Sequence, residues 1–248
     1  VKNKVEESGS DGVVVGLSGG IDSSLVTYIA AEMIDKDKIL GLIMPSETTP
    51  SKDVEDALLV AENLGIKTKT IHIDKHLEQF NDIDVDAKSG EILNLARANL
   101  KARIRMMILY YHANSMNRMV LGTGNKSELL VGYFTKYGDG GVDLLPLGEL
   151  YKADVQKIAN HMSVPENILK KAPTAGLWQG QTDEEELGMK YQLLDKILYL
   201  MVEENLKPEK VAGKLQIPEE EVLRIKSMMK SAEHKLITPP IAEIRRPK

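Results

Sequence analysis

The sequence contains no cysteine, only two phenylalanines and one tryptophan, and no apolar run long enough to cross a bilayer. Without cysteine, disulfides, thiolate zinc sites and every mechanism with a cysteine nucleophile are excluded. With so few large aromatics the core must be aliphatic, with Met and Tyr filling its gaps. Positive charge is also short: the formal net charge is −5, so there is no overall basic field to hold nucleic acid. The N-terminal stretch lacks the apolar core of a secretory leader. Together these absences predict a cytoplasmic protein whose partners include neither a membrane nor a nucleic acid. What remains is 248 residues, 42% apolar and 28% charged, which suits one large α/β domain or a domain with an appendage.

Short apolar runs alternate with helical patterns. Val13-Val14-Val15 with Leu17 reads as a buried strand, after which Leu25, Val26, Ile29, Ala30 and Met33 recur at helical spacing. Ile39 to Met44 reads as a second strand, stopped by Pro45. A helix N-capped by Ser51 follows, placing Val54, Ala57, Leu58 and Ala61 on one face and ending at Gly65. Lys67 to Ile73 reads as a third strand and Met119 to Leu121 as a fourth, after a long helix over 90–113. The stripe of that helix (Leu93, Ala96, Leu100, Ile104, Met107, Ile108, Tyr111) is expected to face the core or a subunit contact. This order of elements, with short connections, predicts a parallel sheet covered by helices. Residues 133–148 read as a glycine-rich functional loop, 151–162 as a helix, and about 191–204, 208–215 and 218–234 as three further helices.

Between the first strand and its helix lies Ser18-Gly19-Gly20-Ile21-Asp22-Ser23-Ser24. Two glycines permit close backbone approach, and the helix that follows presents its positive end, so the loop suits an anion such as phosphate. Its serine hydroxyls add donors. Yet the loop has no lysine, and the Asp22 carboxylate would repel a bare phosphate. A carboxylate there suits a Mg²⁺ ion that bridges phosphate oxygens.

The stretch "SGGIDSS" resembles the pyrophosphate loop of the ATP pyrophosphatases, which split ATP into AMP and pyrophosphate. Five others are similar to the ammonia-dependent NAD synthetases: "NLKARIRM" (99–106), "GTGNKSE" (122–128), "FTKYGDGGVDLLPLGELYK" (134–152), "PTAGLWQGQTDEEELG" (173–188) and "EHK" (233–235). The similarity runs from about residue 12 to 240. It implies a doubly wound parallel sheet with helices on both faces over about 12–175, the adenine nucleotide alpha-hydrolase-like fold, with a C-terminal helical appendage over about 190–235. It implies ATP contacts at Gly16, Leu17, Ser18, Gly19, Gly20, Ile21, Asp22 and Ser23, and at Thr123, Lys152 and Thr174. Deamido-NAD contacts are implied at Arg103, Lys136, Asp143, His234 and Lys235, and Mg²⁺ ligation at Asp22 and Glu128. Asp22 and Lys152 would carry the chemistry, Lys152 neutralising charge as the α-phosphate is attacked. Asp139 and Gly140 would shape the glycine-rich loop, and Ala98 stands where relatives often have glycine. A homodimer with the dinucleotide site near its interface is also implied.

The implied reaction converts the nicotinate carboxylate of deamido-NAD to an acyl-adenylate with ATP, then to the amide with ammonia, giving NAD, AMP and pyrophosphate. With no cysteine and no spare length for a glutaminase domain, free ammonia is the expected nitrogen source, and a separate glutaminase subunit the less favoured one. Two alternatives are another ATP pyrophosphatase, such as the ATPase subunit of GMP synthetase, and a nucleotide- or nucleic-acid-binding module. The second rests on the helix-turn-helix character of residues 211–235. Glu219, Glu220 and Glu221, which open its second helix, would repel a phosphate backbone. Taken without the resemblance, Arg97, Lys101 and Lys126 read as solvated side chains and "DEEELG" as a solvated helix start. His72, His76, His112 and His161 show no paired metal spacing.

Overall fold

The computed structural model describes residues 1–83, 86–174, 176, 180, 182–242 and 244. Strands β1 (Gly12–Gly16), β2 (Ile39–Ile43), β3 (Lys67–Thr70) and β4 (Arg118–Leu121) form one parallel sheet in the order β3-β2-β1-β4. Around it run α1 (Lys2–Ser8), α2 (Ile21–Met33), α3 (Ser51–Leu64), α4 (Asp74–Glu78) and α5 (Gly90–Ser115). After β4 the chain forms α6 (Lys126–Val131), α7 (Lys152–His161), α8 (Glu166–Leu169) and α9 (Asp183–Leu187), then α10 (Tyr191–Val202), α11 (Pro208–Leu215) and α12 (Glu219–Leu236).

Successive strand side chains point to opposite faces, and both faces are covered. Val13, Val15, Ile39, Ile43 and Leu121 enter one core layer with residues of α2, α3 and α7. Val14, Leu40, Leu42 and Val120 enter the other, with Ile104 and Ala113 of α5. The expected doubly wound arrangement is therefore present. A third cluster belongs to α10–α12, where Leu194, Ile197, Val211, Val222 and Ile225 pack with Val131 of α6 and with Tyr151. The appendage is seated on α6 at Gly132, whose φ is +72° and where a Cβ would lie 2.6 Å from that of Ala232 on α12.

Several local expectations are corrected. The N-cap of α3 is Pro50, not Ser51, and no side chain caps that helix. Its buried arc centres on Ala57, Val60 and Ala61, which leaves Leu58 exposed. β3 stops at Thr70, short of Ile73. Ile71 and Ile73 still donate to the carbonyls of Ile43 and Pro45, but β2 has ended and no ladder continues. As an edge strand β3 is polar, with Lys67, Lys69 and Thr70 exposed. On α5 the predicted stripe is only partly buried: Ile104 is covered, whereas Met107 and Tyr111 are exposed. No helix among the described residues is long and apolar enough to cross a membrane.

Candidate active site

β1 and β4 lie side by side, while the chain leaving β1 turns toward β2 and away from β4. A crevice opens at such a switch point, beyond the carboxyl ends of the strands. Here it widens into a cavity of about 800 Å³. The loop after β1 forms one wall. The Ser18 amide donates to Ser23 Oγ at 3.2 Å, and the two hydroxyl oxygens are 3.0 Å apart. The Gly20 amide lies 3.3 Å from Ser18 Oγ. Gly20 is also the N-cap of α2, and no side chain caps that helix, so first-turn amides remain for an anion.

Three charged side chains from three helices meet beside this loop. Lys152, the first residue of α7, lies with Nζ 2.5 Å from Asp22 Oδ2 and 3.5 Å from Glu128 Oε1. Asn125 ties the two carboxylates together. Its Nδ2 donates to Asp22 Oδ1 at 2.9 Å, its Oδ1 accepts from the Glu128 amide, and Glu128 Oε2 accepts from the Asn125 amide. The last two bonds form a capping box, so Glu128 is fixed by the start of its own helix. Burial, reinforced by the Asp22 charge, pushes the Glu128 carboxyl up to about 8. Burial alone would lower the Lys152 ammonium, but Asp22 and Glu128 outweigh it and hold that group above its ordinary value.

A supporting layer comes from the C-terminal half. The Lys152 amide donates to Ser127 Oγ at 3.0 Å, and Ser127 donates to Asp195 Oδ1 at 2.5 Å. Asp195 Oδ2 accepts from the Ala153 amide at 2.8 Å, so a carboxylate on α10 caps the N-terminus of α7. Asp183 is buried, not solvated as its acidic run suggested. Tyr133 and Tyr191 donate to its two oxygens, and burial raises its carboxyl. Lys152 Nζ also stands 5.2 Å from the centre of the Tyr191 ring. Two lysines also depart from the solvated reading: Lys101 donates to Thr48 Oγ1, and Lys126 pairs with Glu149 and Glu203.

Comparison with known proteins matches the description NAD synthase over residues 1–239. The chain belongs to the NAD synthase family. It is 49% identical over 245 residues to the NH(3)-dependent NAD(+) synthetase of Methanococcoides burtonii, covering 98% of this chain and 91% of that protein. Among solved structures it resembles an NMN synthetase from Francisella tularensis, with a TM-score of 0.85 and 35% identity over 98% of this chain and 94% of that one. It likewise resembles an NH3-dependent NAD synthetase from Campylobacter jejuni, solved with a nitrate ion, with a TM-score of 0.80 and 30% identity over 98% and 93% of the two chains.

In this NAD synthase family member the residues expected to touch ATP converge. Gly16 to Ser18, Gly20 to Ser23, Thr123, Lys152 and Thr174 all border the one cavity, with Gly19 in the same loop. The residues expected to touch the dinucleotide fall into two groups. Arg103 lies 3.4 Å from the Lys136 carbonyl, Lys136 Nζ donates to the His234 carbonyl, and Lys235 Nζ donates to the carbonyls of Gly132 and Phe134. These four therefore cluster where α5, the 133–148 loop and α12 meet. Asp143 stands apart, its oxygens taken by the Tyr110 hydroxyl and the Val120 amide. Ala98 is buried and does not border the cavity, whereas Asn99, Ala102 and Arg105 of the same helix do.

Proposed function

We propose that this chain makes NAD by amidating deamido-NAD with free ammonia, consuming ATP and releasing AMP and pyrophosphate. The observation that carries the reading is the Asp22–Lys152–Glu128 cluster set directly against a lysine-free phosphate loop. The loop's amides and serine hydroxyls suit the leaving pyrophosphate. Lys152, fixed by Asp22 and by its own place at the start of α7, offsets negative charge as the nicotinate carboxylate attacks the α-phosphorus. The cavity walls exclude water from the acyl-adenylate until ammonia attacks its carbonyl carbon.

The carboxylates of Asp22 and Glu128 share the Lys152 ammonium, and the Asp183 charge acts on it as well. Among the described residues no group of three or more His, Cys, Asp or Glu could hold a metal alone. Two carboxylates beside a phosphate loop suit Mg²⁺, and Asp22 and Glu128 would hold it. The ion would supply charge neutralisation of the leaving pyrophosphate. The four-residue cluster of Arg103, Lys136, His234 and Lys235 would bind the dinucleotide. Cytoplasm is the setting we propose for this chemistry, and a homodimer joined along α5 its working form.

The test is NAD formation from deamido-NAD, ATP, Mg²⁺ and ammonium, read through a coupled alcohol dehydrogenase. Product with ammonium but not with glutamine is expected, with Lys152→Met lowering kcat by about 10²–10³-fold and Asp22→Ala abolishing activity. One parallel arm offers nicotinate mononucleotide, because one structural relative is an NMN synthetase. Faster turnover there would move the substrate to the mononucleotide and leave the chemistry unchanged. A second arm offers XMP, and pyrophosphate release with XMP alone would overturn the assignment.

A further inference from the structure

The phosphate loop lacks a lysine of its own, yet a lysine from a distant segment lies on it. Lys171, two residues beyond α8, donates from Nζ to the Gly19 carbonyl at 2.9 Å, to Asp53 Oδ1 at 2.8 Å and to Asp56 Oδ2 at 2.5 Å. An ammonium has three N–H donors, and here all three are spent. None is left for a phosphate oxygen, so this cation acts on the loop and not on the ligand.

What it holds is a glycine–glycine peptide. Gly19 has φ +76°, and a Cβ there would lie 2.1 Å from the Asp53 carbonyl oxygen, so the loop is pressed against the first turn of α3. A trans peptide is planar, with its C=O and N–H pointing in opposite directions. Fixing the Gly19 carbonyl on Lys171 therefore turns the Gly20 N–H the other way, where it meets Ser18 Oγ. Flanking glycines offer little steric resistance to rotation of that peptide, and its reversal would set the Gly19 carbonyl oxygen against Ser18 Oγ in place of the N–H that now meets it. The brace is anchored: Asp56 is 1% exposed and also accepts from Asn167 Nδ2 at 2.6 Å. Lys171 also offsets the carboxylate of Asp53, which borders the cavity on the same side as the loop.

We propose that Lys171 is a positioning residue for the ATP loop, locking the Gly19–Gly20 peptide with its N–H on Ser18 Oγ and so holding that hydroxyl in place for the pyrophosphate; this rests on the ATP reading above. Binding of magnesium pyrophosphate to the whole chain, measured by calorimetry, and steady-state kinetics test it together. Lys171→Met weakens pyrophosphate and raises KM for ATP by about tenfold or more, while KM for deamido-NAD stays within about twofold. Lys171→Arg, which keeps a cation in reach of Gly19, restores most of the loss. Asn167→Ala removes a bond to the same buried Asp56 without touching the loop, and leaves KM for ATP unchanged.

Lys171→Met with wild-type pyrophosphate affinity would overturn the proposal. So would Asn167→Ala raising KM for ATP as much as Lys171→Met does, since the effect would then be general loosening. Should Lys171→Met not fold, Lys171→Gln is measured in its place against the same outcomes. A wild-type chain that binds no magnesium pyrophosphate would overturn the ATP reading itself, and the role of Lys171 with it.

Discussion

Asp195 illustrates how much a single side chain outside the cavity lining can govern. One of its oxygens holds Ser127 and the other holds the Ala153 amide, so α6, α7 and α10 converge on one buried carboxylate. Asp195→Ala leaves a buried amide and hydroxyl without their acceptor, at a cost of about 1–3 kcal/mol. Urea unfolding should show that loss, and kcat should fall with it, because the Lys152 amide is held through Ser127. Asp195→Asn keeps one acceptor and should recover part of both. Nothing local in the sequence signals this residue, since Ser127 is 68 positions away. Lys171 and Gly19 are separated by 152 positions and are equally hidden. Asp22 was legible because its loop, strand and helix are contiguous. Glu128 was legible only through family resemblance, since Asn125-x-x-Glu128 is fully accounted for as a helix cap.

At the scale of elements, α5 does two jobs on two faces. Ala98, Ala102, Ile104 and Ala113 are buried and Leu95 borders the cavity, while Ile92, Met107 and Tyr111 are exposed together on another side, with Arg103 among them. Exposed apolar side chains of this size on one helix face fit the contact proposed for the homodimer. Tyr111→Glu should shift the chain to monomer in sedimentation, with thermal stability of the monomer little changed. A wild-type monomer at micromolar concentration would argue against the contact. Helical periodicity detected this helix and its length to within two residues. It could not separate the buried side from the exposed one, because Met and Tyr serve either environment. β1, β2 and β4 were legible from their β-branched and aliphatic runs. The end of β3 was not, because it is set by where the neighbouring strand stops.

At the scale of the whole molecule, strand order does most to create the site. Placing β4 beside β1 brings Thr123 next to the 18–23 loop, α9 adds Asp183, and the appendage adds Tyr191 and Asp195 as supporting partners. Sequence pattern indicated the parallel sheet and its covering helices but not this adjacency, which depends on the handedness of connections. The opposite border of the sheet has a different consequence. β3 ends the sheet with unpaired backbone groups, and Lys67 and Lys69 stand exposed along it. A second copy laid strand to strand there would bring like charges together. Pairing along α5 and β3-to-β3 pairing would each be two-fold and close after one partner, but a chain offering both surfaces would alternate them and grow without end. Exchanging both lysines for valine should make light scattering rise with concentration, through open-ended polymer in place of a closed pair.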